Sequence, residues 1–298
     1  MFVLQENKMN NNKETHNNQT KEPNILVHLH MYYPKQLSYM LKKLKNINSC
    51  KWDLVVTVCN DNEKIKRKIK SFKPNTKFIK VNNIGYDVWP FIQVLKQVDL
   101  DNYDYVLKIH TKNGRQYHNY IWRNVLVDSL LESPKRFKQN LLLFENNPNI
   151  GIVGANEVMS TMTGNSAEEN DLFWEFCEKY NLNLTKGAFI SGTMFIIRAN
   201  ILKQILALNL KEEDFIGQQQ TNGTGTLAHV LERVFGRITE LQGYTVHTVE
   251  NPKYFFYFKF NIFLSKIFSV QNRHYNGKKY KQINILGFKI KICKGKAK

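Results

Sequence analysis

The feature that most constrains this chain is an alternation. Four short apolar runs, each suited to a buried strand, are separated by stretches with helical spacing. The runs are Ile25-Leu26-Val27-His28-Leu29, Asp53 to Cys59, Thr76 to Val81, and Tyr105-Val106-Leu107-Lys108-Ile109. Between them, Lys35 to Ile47 places Leu37, Met40, Leu41 and Leu44 on one helical face, and Asp61 to Lys70 can turn Ile65 and Ile69 inward. A third helix is expected from Pro90, where the missing N–H costs nothing at a helix start, to about Val98. Strand and helix in strict turn predict a parallel sheet with crossover helices. In such sheets ligands bind beyond the carboxyl ends of the strands. The loops after Leu29, Cys59, Val81 and Ile109 are therefore the places to look.

The second half is less regular. Ile121 to Leu131 and Pro134 to Phe144 read as helices, Ile150 to Val153 as a strand, and Ser160 to Asn170 as a polar loop able to cover a site. Thr193 to Arg198 reads as a strand followed by a helix through Leu208. Thr224 to Phe235 reads as a helix and Tyr244 to Val249 as a last strand.

Composition bounds the rest. The chain has 298 residues with 42% apolar content, enough to bury a core. Residues 1–22 are Asn-, Lys-, Gln-, Thr- and Glu-rich and are expected to be disordered. Nothing there resembles a secretory signal, and no apolar run approaches the roughly 20 residues of a spanning helix. Cys50, Cys59, Cys177 and Cys293 show neither CxxC pairing nor metal-ligand spacing, which argues for a reducing compartment and against structural zinc. The net charge of +18 is lopsided: residues 251–298 hold 12 Lys or Arg and no Asp or Glu. The body is only mildly basic, which argues against a nucleic-acid footprint and for a tail that meets an anionic surface.

Four segments can carry chemistry. Asn83-Ile84-Gly85-Tyr86-Asp87-Val88-Trp89-Pro90 joins a glycine and a carboxylate to a helix N-terminus, suited to a phosphate or a ribose diol; the plain alternative is a turn capped by Asp87. Lys108-Ile109-His110-Thr111-Lys112-Asn113-Gly114-Arg115 is charged where parallel strands are normally apolar. Strand alternation puts Lys108, His110 and Lys112 on one side, where with Arg115 they can neutralise a diphosphate; the alternative is a solvated edge strand. Gly187 to Arg198 has small residues at a strand start, including Ser191, Gly192 and Thr193, either for close approach of a ligand or for a tight turn. In Thr224-Gly225-Thr226-Leu227-Ala228-His229-Val230-Leu231-Glu232-Arg233, three side chains share a helix face, and His229 or Glu232 can serve as a general base; the alternative is a routine surface histidine beside an ion pair.

Together these segments resemble one family. Asn83 to Phe91 resembles the N-x-G-R-D-x-x-P-F stretch of the rhamnan-synthesis protein F family. Tyr103 to Lys112 is similar to its Y-D-Y-x-x-K-x-H-x-K strand, followed by Trp122-Arg123. Ser191 to Phe195 and Gly225 to Arg233 match its A-G-T-M-F-W and G-T-L-A-H-A-x-E-R segments. The resemblance runs from about Ile25 to Val249. Tyr86 departs from it, standing where the family has Arg, as do Gln218-Gln219-Gln220, standing where acidic residues often precede the last motif. The resemblance implies a GT-A-like glycosyltransferase of bacterial surface-polysaccharide assembly: a Rossmann-type, mostly parallel sheet flanked by helices, over residues 23–250. The donor would be a nucleotide-sugar, some members using dTDP-rhamnose, and the acceptor a growing glycan, lipid-linked. It further implies that Asn83, Gly85 and Asp87 hold the nucleoside, that Lys108, His110, Lys112 and Arg115 meet the diphosphate, and that Thr193 and Arg233 contact substrate. His110-Thr111-Lys112 stands where metal-dependent members carry paired Asp residues, so no divalent cation or other cofactor is expected.

The basic aromatic extension, residues 251–298, adds a second resemblance. Lys281 to Lys291 looks like the I-x-I-L-G-I-K-I ending of bacterial surface-glycan glycosyltransferases. With the aromatic run Tyr254 to Leu264 it is expected to lie on the cytoplasmic leaflet of the membrane, or else to pack on the core as a helix. A non-catalytic glycan-binding or scaffolding subunit is the rival reading, and an RNA-binding protein, prompted by the pI of 9.6, is a weaker one.

Overall fold

The computed structural model describes residues 22–47, 50–112, 120–161, 167–184, 187–216, 226–275 and 278–296. The expected alternation is present: β1 (Asn24–His30), α1 (Leu37–Leu44), β2 (Lys51–Val58), α2 (Glu63–Phe72), β3 (Lys77–Lys80), α3 (Val88–Leu95) and β4 (Tyr105–His110). Then come α4 (Ile121–Leu131), α5 (Pro134–Asn146), β5 (Ile150–Ala155), β6 (Met159–Thr161), α6 (Ala167–Lys179), β7 (Ala188–Ile190), β8 (Phe195–Arg198), α7 (Leu202–Ala207), α8 (Leu227–Leu241) and β9 (Thr245–Val249).

The main sheet has seven strands in the order β3-β2-β1-β4-β8-β5-β9. Only β8 runs against its neighbours, β4 and β5; the other pairings are parallel. This is the mostly parallel, helix-flanked α/β architecture expected from the alternation. β1 and β4 lie side by side at its centre, and all six residues of β4 are buried, Lys108 included.

Several local expectations are corrected. α3 starts at Val88, so Pro90 is its third residue rather than its first; the N–H there has no intrahelical partner either, so proline is still harmless. The stretch from Ser160 to Asn170 is not simply a loop: it begins in β6 and its last residues belong to α6. α8 begins at Leu227, and β8 begins at Phe195 because Thr193 takes a left-handed backbone, φ 48°, that a strand cannot continue.

The end of the chain adds elements that the sequence reading did not assign. The aromatic run Tyr254 to Leu264 is helical throughout, inside α9 (Pro252–Ile267). β10 (Phe268–Tyr275), β11 (Lys278–Ile285) and β12 (Phe288–Lys296) follow as an antiparallel sheet. Leu286-Gly287 make the second hairpin, both with positive φ, as a two-residue turn of this hand requires. The root of α9 is tied to the body. The Tyr254 hydroxyl donates to Asp128 Oδ2 at 2.7 Å, and the Asn251 amide N–H donates to Glu157 Oε1 at 2.8 Å.

Candidate active site

The four charged or small-residue segments converge at the carboxyl end of β1 and β4. The centre is a closed triangle of hydrogen bonds. Lys108 Nζ donates to Asp87 Oδ2, to the Thr193 carbonyl oxygen at 2.9 Å and to Thr193 Oγ1 at 3.0 Å. The Thr193 hydroxyl in turn donates to Asp87 Oδ2. An ammonium has three protons, and all three are used. Burial pulls Lys108 below the ordinary lysine range, against the attraction of Asp87. For Asp87 burial works the other way, but His110 and Lys108 beside it and the bonds from Lys108 and Thr193 prevail and hold its carboxyl far below the usual range. Asp87 stands at the N-cap of α3 yet makes no side-chain cap bond, so it is not the ordinary capped turn.

Lys108 is fully buried, so its ammonium has no donor left for a ligand in this arrangement. The expected direct contact with a diphosphate is therefore not what the geometry offers. Instead Lys108 joins residues 21 and 85 positions away in the chain.

A polar layer sequence reading missed lies beside this triangle. In the parallel register His28 faces Lys108 and His30 faces His110. Thr57 Oγ1 is 2.9 Å from both His28 Nε2 and His30 Nδ1. One hydroxyl proton cannot serve both rings, so the bridge pairs one donating and one accepting nitrogen. Burial drives all three imidazoles toward the neutral form, His30 down to about 4 and His28 and His110 well below the ordinary value. His110 Nδ1 approaches Asp87 Oδ2 at 3.3 Å. His28 stacks on Phe91 of α3 with 5.4 Å between ring centres. The signal was present in the sequence, since His28 and His30 repeat the two-residue spacing of Lys108 and His110.

The outer part of the site is only half-buried. Lys112 is half-buried, with its Nζ 6.0 Å from the Trp122 ring centre; its backbone is held by Gln36, whose Nε2 donates to the Lys112 carbonyl at 2.7 Å. Glu232 Oε1 accepts the Gly192 N–H. Burial raises the Glu232 carboxyl, opposed by that bond and by Lys112 and Arg233. His229 is half-buried and pushed down to about 4, by burial and then by Arg233; its Nδ1 lies 2.7 Å from Thr226 Oγ1 and its ring meets the edge of Tyr86 at 5.5 Å. Tyr86, the departure from the family pattern, thus packs on a residue of the last motif. Arg233 is buried; its Nη1 donates to the His229 carbonyl at 2.6 Å and its guanidinium lies over Phe189.

Asn83 is exposed, its amide donating to the Tyr32 hydroxyl at 3.3 Å. Gly85 is required by packing: its φ is +62°, and a Cβ there would come within 2.6 Å of Phe215. Asn82 Nδ2 and Trp89 Nε1 both donate to Glu212, so the segment before α8 clamps this loop. Arg115 and Thr224-Gly225 lie outside the described residues. Among the described residues no group of three or more His, Cys, Asp or Glu side chains is arranged to hold a metal ion.

The family model for rhamnan synthesis protein F matches residues 1–244. The chain belongs to that family. Among curated proteins it is similar to WxcX of Xanthomonas campestris pv. campestris, 28% identical over 235 residues in each of two strains. The match takes in 76% of this chain but 33% of WxcX, so the chain spans about a third of the length of these relatives. Among solved structures, residues 1–349 of Staphylococcus aureus TarS align at 11% identity with a TM-score of 0.42, over 76% of this chain and 58% of that one. The same TarS segment has been solved in complex with UDP.

Proposed function

We propose that this member of the rhamnan synthesis protein F family is a glycosyltransferase. It moves a sugar, with rhamnose the first to test, from a nucleotide-sugar to a growing bacterial surface polysaccharide held on a lipid at the inner face of the membrane. The observation that supports this best is the convergence of the four family motifs on one strand end, with the half-buried cation Lys112 facing a carboxyl, Glu232, whose affinity for protons is raised. In this reading Glu232 takes the proton of the acceptor hydroxyl while that oxygen attacks the anomeric carbon. The bond from that carbon to the diphosphate breaks, and its electron pair leaves with the diphosphate, whose charge Lys112 and Arg115 receive in place of a divalent cation. Asn83 and Tyr32 border the nucleoside. Lys108, Asp87 and Thr193 hold the frame, and His229 orients the acceptor.

A screen of nucleotide-sugar donors with product analysis tests the activity, and the expected result is transfer that survives EDTA. If EDTA abolishes turnover and Mg²⁺ or Mn²⁺ restores it, the metal-free part is wrong. Lys112→Ala is expected to lower turnover by roughly tenfold to a hundredfold, the worth of a hydrogen bond to a charged group. A chain that binds glycan but shows no thermal shift with any nucleoside diphosphate would be a scaffolding subunit instead.

A further inference from the structure

The sheet formed by β10, β11 and β12 has one polar face and one apolar face that is open to solvent. On one face of β11 lie Tyr280, Gln282 and Asn284, with Lys291 and Lys289 of β12 beside the last two; Gln282 is buried and its amide donates to Asn284 at 3.1 Å. Strand alternation puts Ile283 and Ile285 on the other face. The register sets Val270 and Phe268 of β10, and Ile290 and Phe288 of β12, beside them. Those neighbours are open to solvent, Phe288 at 77% and Phe268 at 59% exposure. Soluble sheets put such a face against a core.

The same surface continues along α9. Phe256, Phe260, Phe263 and Ile267 recur at spacings of four, three and four, so they form one helical stripe, and all are exposed. The stripe ends at Ile267, and the sheet's apolar face starts at the next residue, Phe268. Lys289 and Lys291 alternate with Phe288, Ile290 and Ile292 along β12 and are exposed as well.

We infer that this continuous face is a docking surface that lies in the interface of an anionic phospholipid bilayer. The inference deepens the proposed action on a lipid-held acceptor by naming the surface that meets the lipid. Charge selects the occupant. Residues 251–298 contain 12 Lys or Arg and no Asp or Glu, so two copies stacked on this face would set like charge against like, whereas anionic headgroups complement it. An apolar aromatic and aliphatic face carried by a strand whose alternate residues are lysines suits the boundary between headgroups and acyl chains. Among the described residues no helix is long and apolar enough to cross a membrane, so docking on the surface is the fitting mode. The ties of Tyr254 and Asn251 to the body would hold the transferase domain close to that surface.

Co-sedimentation of the full chain with vesicles tests this. Binding to vesicles of phosphatidylcholine mixed with phosphatidylglycerol is expected, with little binding to pure phosphatidylcholine. The double variant Phe288→Ser/Ile290→Ser removes apolar area from an exposed face and should lower partitioning at least about tenfold. Lys289→Glu/Lys291→Glu should lower it on the anionic vesicles alone. Unchanged binding by both variants overturns the inference. So does a full chain that leaves vesicles unbound and sediments as a dimer that Phe288→Ser/Ile290→Ser separates; that result gives the face to a second copy. Nucleoside diphosphate binding, read as a thermal shift in the same variants, should be unchanged. Its absence in the unaltered chain would sink the proposed transfer while leaving the vesicle result standing.

Discussion

Lys108 and Lys112 leave the same strand end, yet one has no solvent exposure and three oxygen partners while the other is half-buried beside an indole. The contrast extends to their surroundings. Around Lys108 every ionisable group is sealed: Asp87 is bonded to it, and His28, His30 and His110 are held neutral. Around Lys112 the groups are less committed: Glu232 is raised by burial and accepts one backbone N–H, and His229 is half-buried. A buried cation whose donors are all used can position its neighbours but cannot bind a ligand. A half-exposed cation can do so, because only water has to be displaced. The sealed part should therefore govern stability, and the open part turnover.

The sharpest separation is expected at Glu232. Glu232→Gln keeps an oxygen to accept the Gly192 N–H but cannot take a proton. Turnover should fall by roughly 10²–10⁴-fold, the usual worth of a general base, with the melting curve little changed. Turnover that survives would move the base elsewhere, with His229 next to test. Lys108→Met should behave in the opposite sense. It strands the Asp87 carboxylate and removes both bonds to Thr193, so denaturant unfolding should show a loss of about 3–5 kcal/mol. A stable Lys108→Met chain that lost only donor affinity would return Lys108 to the ligand.

Acid should act on the sealed part next. A histidine whose folded pKa is depressed binds its proton more readily in the unfolded chain. Its contribution is complete above about 6.5 and is lost as pH falls from there toward the folded value, about 4 for His30. The expected slope is about 1.4 kcal/mol per pH unit for each histidine that stays neutral. Asp87, with a depressed carboxyl, adds its loss only at lower pH. Unfolding free energies that stay flat between about pH 6.5 and 4.5 would mean that these rings are charged in the fold. The smallest effect is expected at Gly85→Ala. The left-handed φ and the crowding by Phe215 should cost about 1–2 kcal/mol, visible as a lower Tm.

Much of the site could be read from residue order. A lysine inside a run such as Tyr105-Val106-Leu107 marks an exception to an apolar strand, and the motifs around Asp87, Thr193 and Glu232 pointed to the same place. The roles within it could not be read that way. A lysine four residues from another at a strand end has the same local signal whether it is sealed or open. What separates Lys108 from Lys112 is that a left-handed turn at Thr193 and the start of α3 close over the first and stop short of the second. His28 and His30 were passed over because a strand of Ile, Leu and Val reads as buried whichever two positions are polar. The strands of the tail were missed for a related reason. Phe288-Lys289-Ile290-Lys291-Ile292 alternates with the period of a strand, but its charge drew the reading to the surface it meets and away from the element it forms.

By itself the sequence determined the sheet, since alternating apolar runs and amphipathic helices have few ways to bury their faces other than a parallel array with crossovers. It also determined that charge would gather at the end of the fourth strand. Only the tertiary structure decided which of those charges is spent inside the protein. Hydrogen-bond saturation of Lys108 depends on groups brought from residues 87 and 193 to within bonding distance, and no local pattern encodes that count.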